Sequence, residues 1–151
     1  AFEKEVNLLR RTFPDVALTT DVIVGFPGET EEEFNETYKY LSKIRFAKLH
    51  VFKYSPRKGT VAAKMKNQID SAVKEKRSHK LIELSNECEI EFLDRYIGKK
   101  VKVLFEKQDG KYIKGHTTNY LVVKVKEEKL ENQIKEVKIV SRDELELIGE
   151  M

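Results

Sequence analysis

The stretch VIVGFPGET (residues 22–30), running straight into EEEF (31–34), decides how this chain is read. An apolar β-branched run meets a turn of two glycines and a proline, then an acidic helical start. Val16–Val24 reads as a strand, and its nearly all-apolar end predicts a strand covered on both faces. Thr30 followed three residues later by Glu33 is a capping box, in which each side chain serves the other's free backbone N–H. Phe34, Tyr38, Leu41 and Ile44 then recur at helical spacing. Leu49–Tyr54 supplies a second strand. Strand, helix and strand of these lengths predict a βαβ unit with parallel strands and a right-handed crossover.

A glycine-rich turn between strand and helix raises the question of phosphate. The stretch is neither GxGxxG nor GxxxxGK[ST]. Helix N-termini attract anions through free N–H groups and a partial charge of roughly +0.5. Here Glu29, Glu31, Glu32 and Glu33 occupy that end, with Glu36 a turn further on. They satisfy the dipole and repel a phosphate. A flat, uncharged surface such as an adenine ring suits the Gly25 backbone better, since ligands of α/β folds gather at the C-terminal ends of parallel strands.

Outward from this unit, residues 2–13 form an amphipathic helix that stops at Pro14. Residues 55–60 read as a loop and Val61–Met65 as a short segment. A long helix covers about 70–94, with Leu81, Leu84, Cys88 and Phe92 on one side. From Gly98 the period changes to two: Val101, Val103 and Phe105 turn inward while Lys100 and Lys102 turn outward. Asp109-Gly110 marks a hairpin, and Tyr112–Thr117, Tyr120–Lys126, Ile134–Val140 and Leu145–Gly149 read as further strands. Short strands this dense predict a closed or nearly closed antiparallel barrel. The fold expected is α/β plus all-β, with residues 1–94 and 95–151 as two domains.

The 151 residues are 40% apolar and 36% charged, with a net charge of +3. No run approaches the ~20 apolar residues that cross a bilayer, so no membrane partner is expected. The single cysteine, Cys88, excludes an internal disulfide and fits a cytoplasmic setting. It reads as a core residue, and no two of the three histidines have metal-ligand spacing, so no metal site is expected. A chain that opens without Met, already in helical rhythm, reads as a piece of a longer one.

TDVIVGFPGET (20–30) followed by LHVFKYSPRKGTVAAKM (49–65) resembles the C-terminal half of the radical-SAM methylthiotransferase (MiaB-like) core, and GHTTNY (115–120) is similar to the TRAM domain that ends those enzymes. Together these matches extend over essentially the whole chain. The resemblance implies a partial (β/α) radical-SAM barrel followed by a TRAM β-barrel. It implies an enzyme that inserts sulfur and a methyl group at an unactivated C–H bond, using S-adenosylmethionine and two 4Fe-4S clusters. His50, within KLHVF, leans toward members acting on threonylcarbamoyladenosine beside the anticodon of tRNA. Isopentenyladenosine or an aspartate of a ribosomal protein are the other family substrates. Cluster iron needs thiolates, and with one cysteine both clusters fall outside this chain. The segment by itself is then expected to be inactive and to bear no catalytic residue of its own. DVIVGFPGE (21–29) is similar to the family pattern Gly-x-Ile-x-Gly-x-x-Glu, with Asp21 for the first Gly and one extra residue before Glu29. That implies Ile23 and Gly25 as neighbours of the cofactor's adenine, with Val51 and Phe52 on the next strand.

Charge is unevenly distributed. Residues 53–80 carry nine Lys and Arg against two carboxylates, a net +7, and residues 95–126 carry the same balance. Patches of this kind supply most of the affinity for nucleic acid, and exposed tyrosines add base stacking. The expected RNA contacts are Arg57, Lys58, Lys100, Lys102, Tyr112, Lys114, His116, Tyr120, Lys124 and Lys126, and the partner implied is the anticodon stem-loop of tRNA. A stand-alone RNA-binding protein is the alternative reading. Without a further neighbour, Val16–Val24 would be an apolar edge, which predicts self-association through exposed strands.

Overall fold

The computed structural model describes residues 1–151. The chain forms two compact units, Ala1–Val6 with Leu18–Cys88, and Asn7–Ala17 with Glu89–Met151. The division falls inside a helix, a few residues before the 94/95 boundary expected from the change of period. Helix α1 spans Phe2–Thr12.

In the first unit, β1 (Thr19–Val24), α2 (Glu31–Ile44) and β2 (Lys48–Lys53) form the expected βαβ unit. The strands pair parallel, from Thr19↔Lys48 to Val24↔Lys53. β1 begins at Thr19 rather than Val16, because its ladder starts only where β2 begins. Leu18, just ahead of it, packs against the core instead. The capping box at Thr30 is present in both directions, and Arg45 closes the helix in the left-handed region. A 3₁₀ turn (Ala62–Lys64) leads to α3 (Ser71–Asp94).

The helix side of the sheet carries the core of this unit: Val24, Phe34, Leu41, Ile44, Leu49, Leu81, Leu84 and Cys88, with Tyr38 and Val51 packed against it. Burying each such aliphatic or phenyl group contributes roughly 1.5–3 kcal/mol. Ser85 ties α3 to β2: its hydroxyl accepts the Leu49 N–H at 3.0 Å and donates to the Leu49 carbonyl at 3.2 Å. The other side of the sheet is bare. Ile23 is 57% exposed and Phe52 53%, which corrects the expectation of a strand covered on both faces. Hydrophobic composition here marks a surface that has no second layer among these residues.

In the second unit, β3 (Lys100–Asp109), β4 (Tyr112–His116), β5 (Val122–Val125), β6 (Ile134–Asp143) and β7 (Glu146–Glu150) close into a barrel of order β3-β4-β5-β7-β6. Alternation fills it: Val103, Phe105, Ile113, Val123, Val125, Val137, Ile139 and Leu147 are fully buried. The barrel is mixed rather than antiparallel, because β7 lies parallel to β5. The 20 residues between Val125 and Glu146 let the chain traverse β6 and return on the far side of β5, which closes the ring. A bulge in β3 between Phe105 and Lys107 bends the strand around the ring. Gly115 sits opposite it, where a Cβ would run into the Leu104 carbonyl. No helix is long and apolar enough to cross a membrane.

Candidate functional site

The β1–α2 turn is held by its own side chains. Gly25 and Gly28 both take positive φ, +73° and +86°, as the tight turn requires. The Glu29 carboxylate accepts the Gly25 N–H at 3.0 Å and receives Arg77 Nη1 at 2.7 Å. Arg77 also donates to the Glu29 carbonyl at 3.0 Å and to Glu31 at 3.2 Å, and its guanidinium lies over the Phe34 ring at 5.5 Å. The Arg77 and Glu29 side chains are only 6% and 15% exposed. Carboxylates thus serve the amide and the guanidinium that a phosphate would otherwise claim. Gly25 is crowded by Lys74: a Cβ there would meet that side chain. The Lys74 ammonium goes on to donate to the Tyr54 carbonyl at 3.0 Å. The Lys74 side chain therefore occupies the Cβ side of Gly25.

Ile23 and Phe52 are register partners and stand together on the bare face of the sheet. With Tyr54, Ser55, Arg57 and Thr60 they line a cleft of about 400 Å³. Val51, one residue along, turns to the helix side and belongs to the core. Tyr54 Oη is buried without a hydrogen-bond partner. Arg57 thus shares the cleft of the apolar pair, while Lys58 is exposed in the loop beyond it.

On the barrel's outer face three of the expected lysines, Lys100, Lys114 and Lys124, meet carboxylates. Lys114 pairs with Asp109 and Glu146, both at 2.9 Å. Lys124 pairs with Asp143 at 2.7 Å and Glu146 at 3.1 Å. Hydrogen bonds from Lys114 and Lys124 hold Glu146 below the usual carboxylate range, Lys124 does the same for Asp143, and Lys114 for Asp109. Both lysines are raised in turn, Lys114 chiefly by Glu146 and Lys124 chiefly by Asp143. Tyr112 carries the Lys124 and Lys126 ammoniums over its ring, at 5.2 and 5.8 Å. Lys100 approaches Glu136 at 3.8 Å, and His116 Nδ1 meets Glu106 at 2.6 Å.

Tyr120 is elsewhere. It precedes β5, takes φ +65° and is 85% exposed, so it does not share a strand face with Lys124 and Lys126 as its sequence parity predicted. It borders a second cleft, about 540 Å³, with Lys102, Leu104, Glu106, His116 and Ile134.

No family model matches the chain. Individual relatives do. The chain is 41% identical over 145 residues to threonylcarbamoyladenosine tRNA methylthiotransferase MtaB of Bacillus subtilis, covering 92% of the chain and 32% of that protein. It is 43% identical over 150 residues to tRNA-2-methylthio-N(6)-dimethylallyladenosine synthase of Thermoanaerobacter sp., with 97% and 32% covered. It is 43% identical over 115 residues to ribosomal protein uS12 methylthiotransferase RimO of Thermotoga maritima, with 76% and 27% covered. The chain belongs to the methylthiotransferase family. It spans about a third of the length of the curated relatives it matches.

Within this methylthiotransferase segment the structure brings together Ile23, Phe52 and Arg57 in one cleft, and Lys102, His116 and Tyr120 in another. Gly25 and Val51 lie apart from the first cleft, and Tyr112, Lys114 and Lys124 form a self-neutralised face instead. Sequence reasoning missed Asp143 and Glu146 as partners of the lysines, because barrel closure brings them from strands outside the basic window. It also missed Leu104 and Ile134. Their signal was visible: each is an apolar residue at an outward position of an alternating strand. No three His, Cys, Asp or Glu side chains are grouped to hold a metal ion.

Proposed function

We propose that this chain is the C-terminal segment of a radical-SAM tRNA methylthiotransferase that adds a methylthio group to a modified adenosine next to the anticodon. The observation that carries this reading is the breadth of the likeness. The tRNA-modifying relatives match over 92% and 97% of the chain, so both compact units are included. The uS12-modifying relative matches over 76%, and modification of a ribosomal protein is therefore the second reading. His50, exposed on β2, favours threonylcarbamoyladenosine among the tRNA substrates. Substrate tRNA would make the site of action cytoplasmic.

On this reading the first unit is part of a radical-SAM barrel, and its bare sheet face is an inner surface of the whole protein. Ile23 and Phe52 fit S-adenosylmethionine: an open apolar pair at the ends of parallel strands is a surface on which an adenine can lie. Arg57 and Ser55, beside them, are suited to the polar end of a nucleotide-like ligand. When bound, the cofactor would supply the methyl group. The residues present do not fit an iron–sulfur cluster, because Cys88 is the one thiol and it lies in the core. Cluster ligands would come from the rest of the whole protein, and this segment alone would be inactive. The second unit is the TRAM-like module, and its role is to engage the anticodon stem-loop.

The test is the nucleoside content of tRNA from a strain lacking the gene for the whole protein. The methylthio-modified adenosine should vanish and its unmodified precursor accumulate. Unchanged tRNA nucleosides, with loss of the methylthio group from ribosomal protein uS12, would replace this reading by the second.

A further inference from the structure

Three strands of the barrel set a row of side chains on its outer face. In the register, Ile134 of β6 stands opposite Leu104 of β3, and Leu104 opposite His116 of β4. Ile134 and Leu104 are 66% and 42% exposed, although the alternation that places them outward surrounds them with lysines and glutamates. Tyr120 completes the cleft from the β4–β5 loop.

Hydrogen bonds close that loop. Thr117 N–H donates to the Leu121 carbonyl, the Leu121 N–H to Thr117 Oγ1 and the Tyr120 N–H to the Thr117 carbonyl, all at 3.0 Å. Asn119 Nδ2 donates to Tyr96 Oη at 2.9 Å and to the Asp15 carbonyl at 2.8 Å. A tyrosine in the left-handed region is an outlier for a bulky side chain. The loop keeps its backbone there, with the ring in solvent.

We propose that the row formed by Tyr120, Leu104 and Ile134 is a stacking site for one unpaired base of an RNA strand. This rests on the reading of the barrel as an RNA-binding module and names the contact within it. An exposed aromatic on a hydrogen-bonded loop, flanked by two aliphatic groups, offers a base its π-face. Lys102 lies on the rim, and its register partner Glu136 is drawn toward Lys100. Lys102 is therefore the cation left to meet the phosphate beside that base. The rim carboxylate, Glu106, is engaged by His116. Three apolar side chains are enough for a nucleobase, but fall well short of the roughly 800 Å² per partner of a stable protein interface. By contrast Lys114 and Lys124 are committed to carboxylates and offer RNA little net charge.

The experiment is fluorescence anisotropy of a labelled, short single-stranded RNA against the 151-residue chain, at about 50 mM salt. A matched strand with abasic positions serves as comparison. Tyr120→Ala should weaken binding of the base-bearing strand by about tenfold, leave the abasic strand unaffected and leave the salt slope unchanged. Tyr120→Phe should retain the affinity, and Lys102→Ala should flatten the salt slope. If the wild type binds RNA and Tyr120→Ala binds equally well, the stacking site is wrong while the RNA-binding reading stands. If the wild type shows no RNA affinity at low salt, the RNA-binding reading falls and takes the site with it. Binding of purified ribosomal protein uS12 that depends on Tyr120, with RNA binding indifferent to it, would make the row a protein dock and overturn the proposal.

Discussion

Arg77 and Glu29 form a nearly buried ion pair at 2.7 Å, and through it a residue of α3 fixes the turn that follows β1. The pair answers why the turn carries a glutamate so close to its glycines. One carboxylate neutralises the guanidinium and also satisfies the amide of Gly25, whose left-handed backbone brings that N–H within reach.

Removing either partner should therefore be costly. Breaking a buried pair leaves an uncompensated charge and typically costs about 3–5 kcal/mol. Arg77→Met or Glu29→Gln is expected to destabilise the first unit by about that much in urea unfolding. Arg77→Lys should rescue little, since an ammonium lacks the planar fork that reaches Glu29, its carbonyl and Glu31 together. A loss below about 1 kcal/mol in Glu29→Gln would show the pair to be dispensable.

The barrel should lose stability in acid. Lys114 and Lys124 are cross-strand partners, and Glu146 bridges them. Hydrogen bonding to these lysines lowers Glu146 from its ordinary 4.5 and Asp109 and Asp143 from 3.8. A carboxyl lowered by folding contributes stability that is fully present above its ordinary value and lost as pH falls through its lowered value. Thermal midpoints should fall as pH drops below about 4.5, and Glu146→Gln should flatten that dependence. An identical acid limb in the variant would remove Glu146 from the account.

Tyr120 should be dispensable for folding. Its ring is exposed and its φ favours glycine, so Tyr120→Gly should change stability by no more than about 1 kcal/mol, with relief of strain offsetting the entropy gained by the unfolded chain. Calorimetry decides this, and a loss above about 2 kcal/mol would give the side chain a structural role.

The bare face and unpaired edges of the β1–β2 sheet should make the chain self-associate. Light scattering should show a mass that rises with concentration, and Ile23→Asp combined with Phe52→Asp should suppress the rise. A monomeric mass at all concentrations would rule this out.

The local structure was legible because local rules wrote it. The capping box at Thr30, the stripe from Phe34 to Ile44, the Asp109-Gly110 hairpin and the alternation of β3 each depend on neighbours within a few residues. Ile23 misled, because a strand that is apolar on both faces predicts two covering layers whether or not the chain contains both. Tyr120 misled for a different reason: parity holds only along a strand, and its left-handed turn precedes β5, so the alternation begins only after it.

By itself the sequence determined the elements, the βαβ pairing, the contents of the barrel's interior and the likeness to methylthiotransferases. Only the tertiary structure decided which charges remain to act. Closing the ring with β7 parallel to β5 sets Glu146 between two lysines, and packing α3 on β1 delivers Arg77 to Glu29. The contacts Arg77–Glu29, Lys114–Glu146 and Lys124–Asp143 join residues 48, 32 and 19 apart in the chain. Coulomb attraction depends on distance in space, and a sequence shows only distance along the chain.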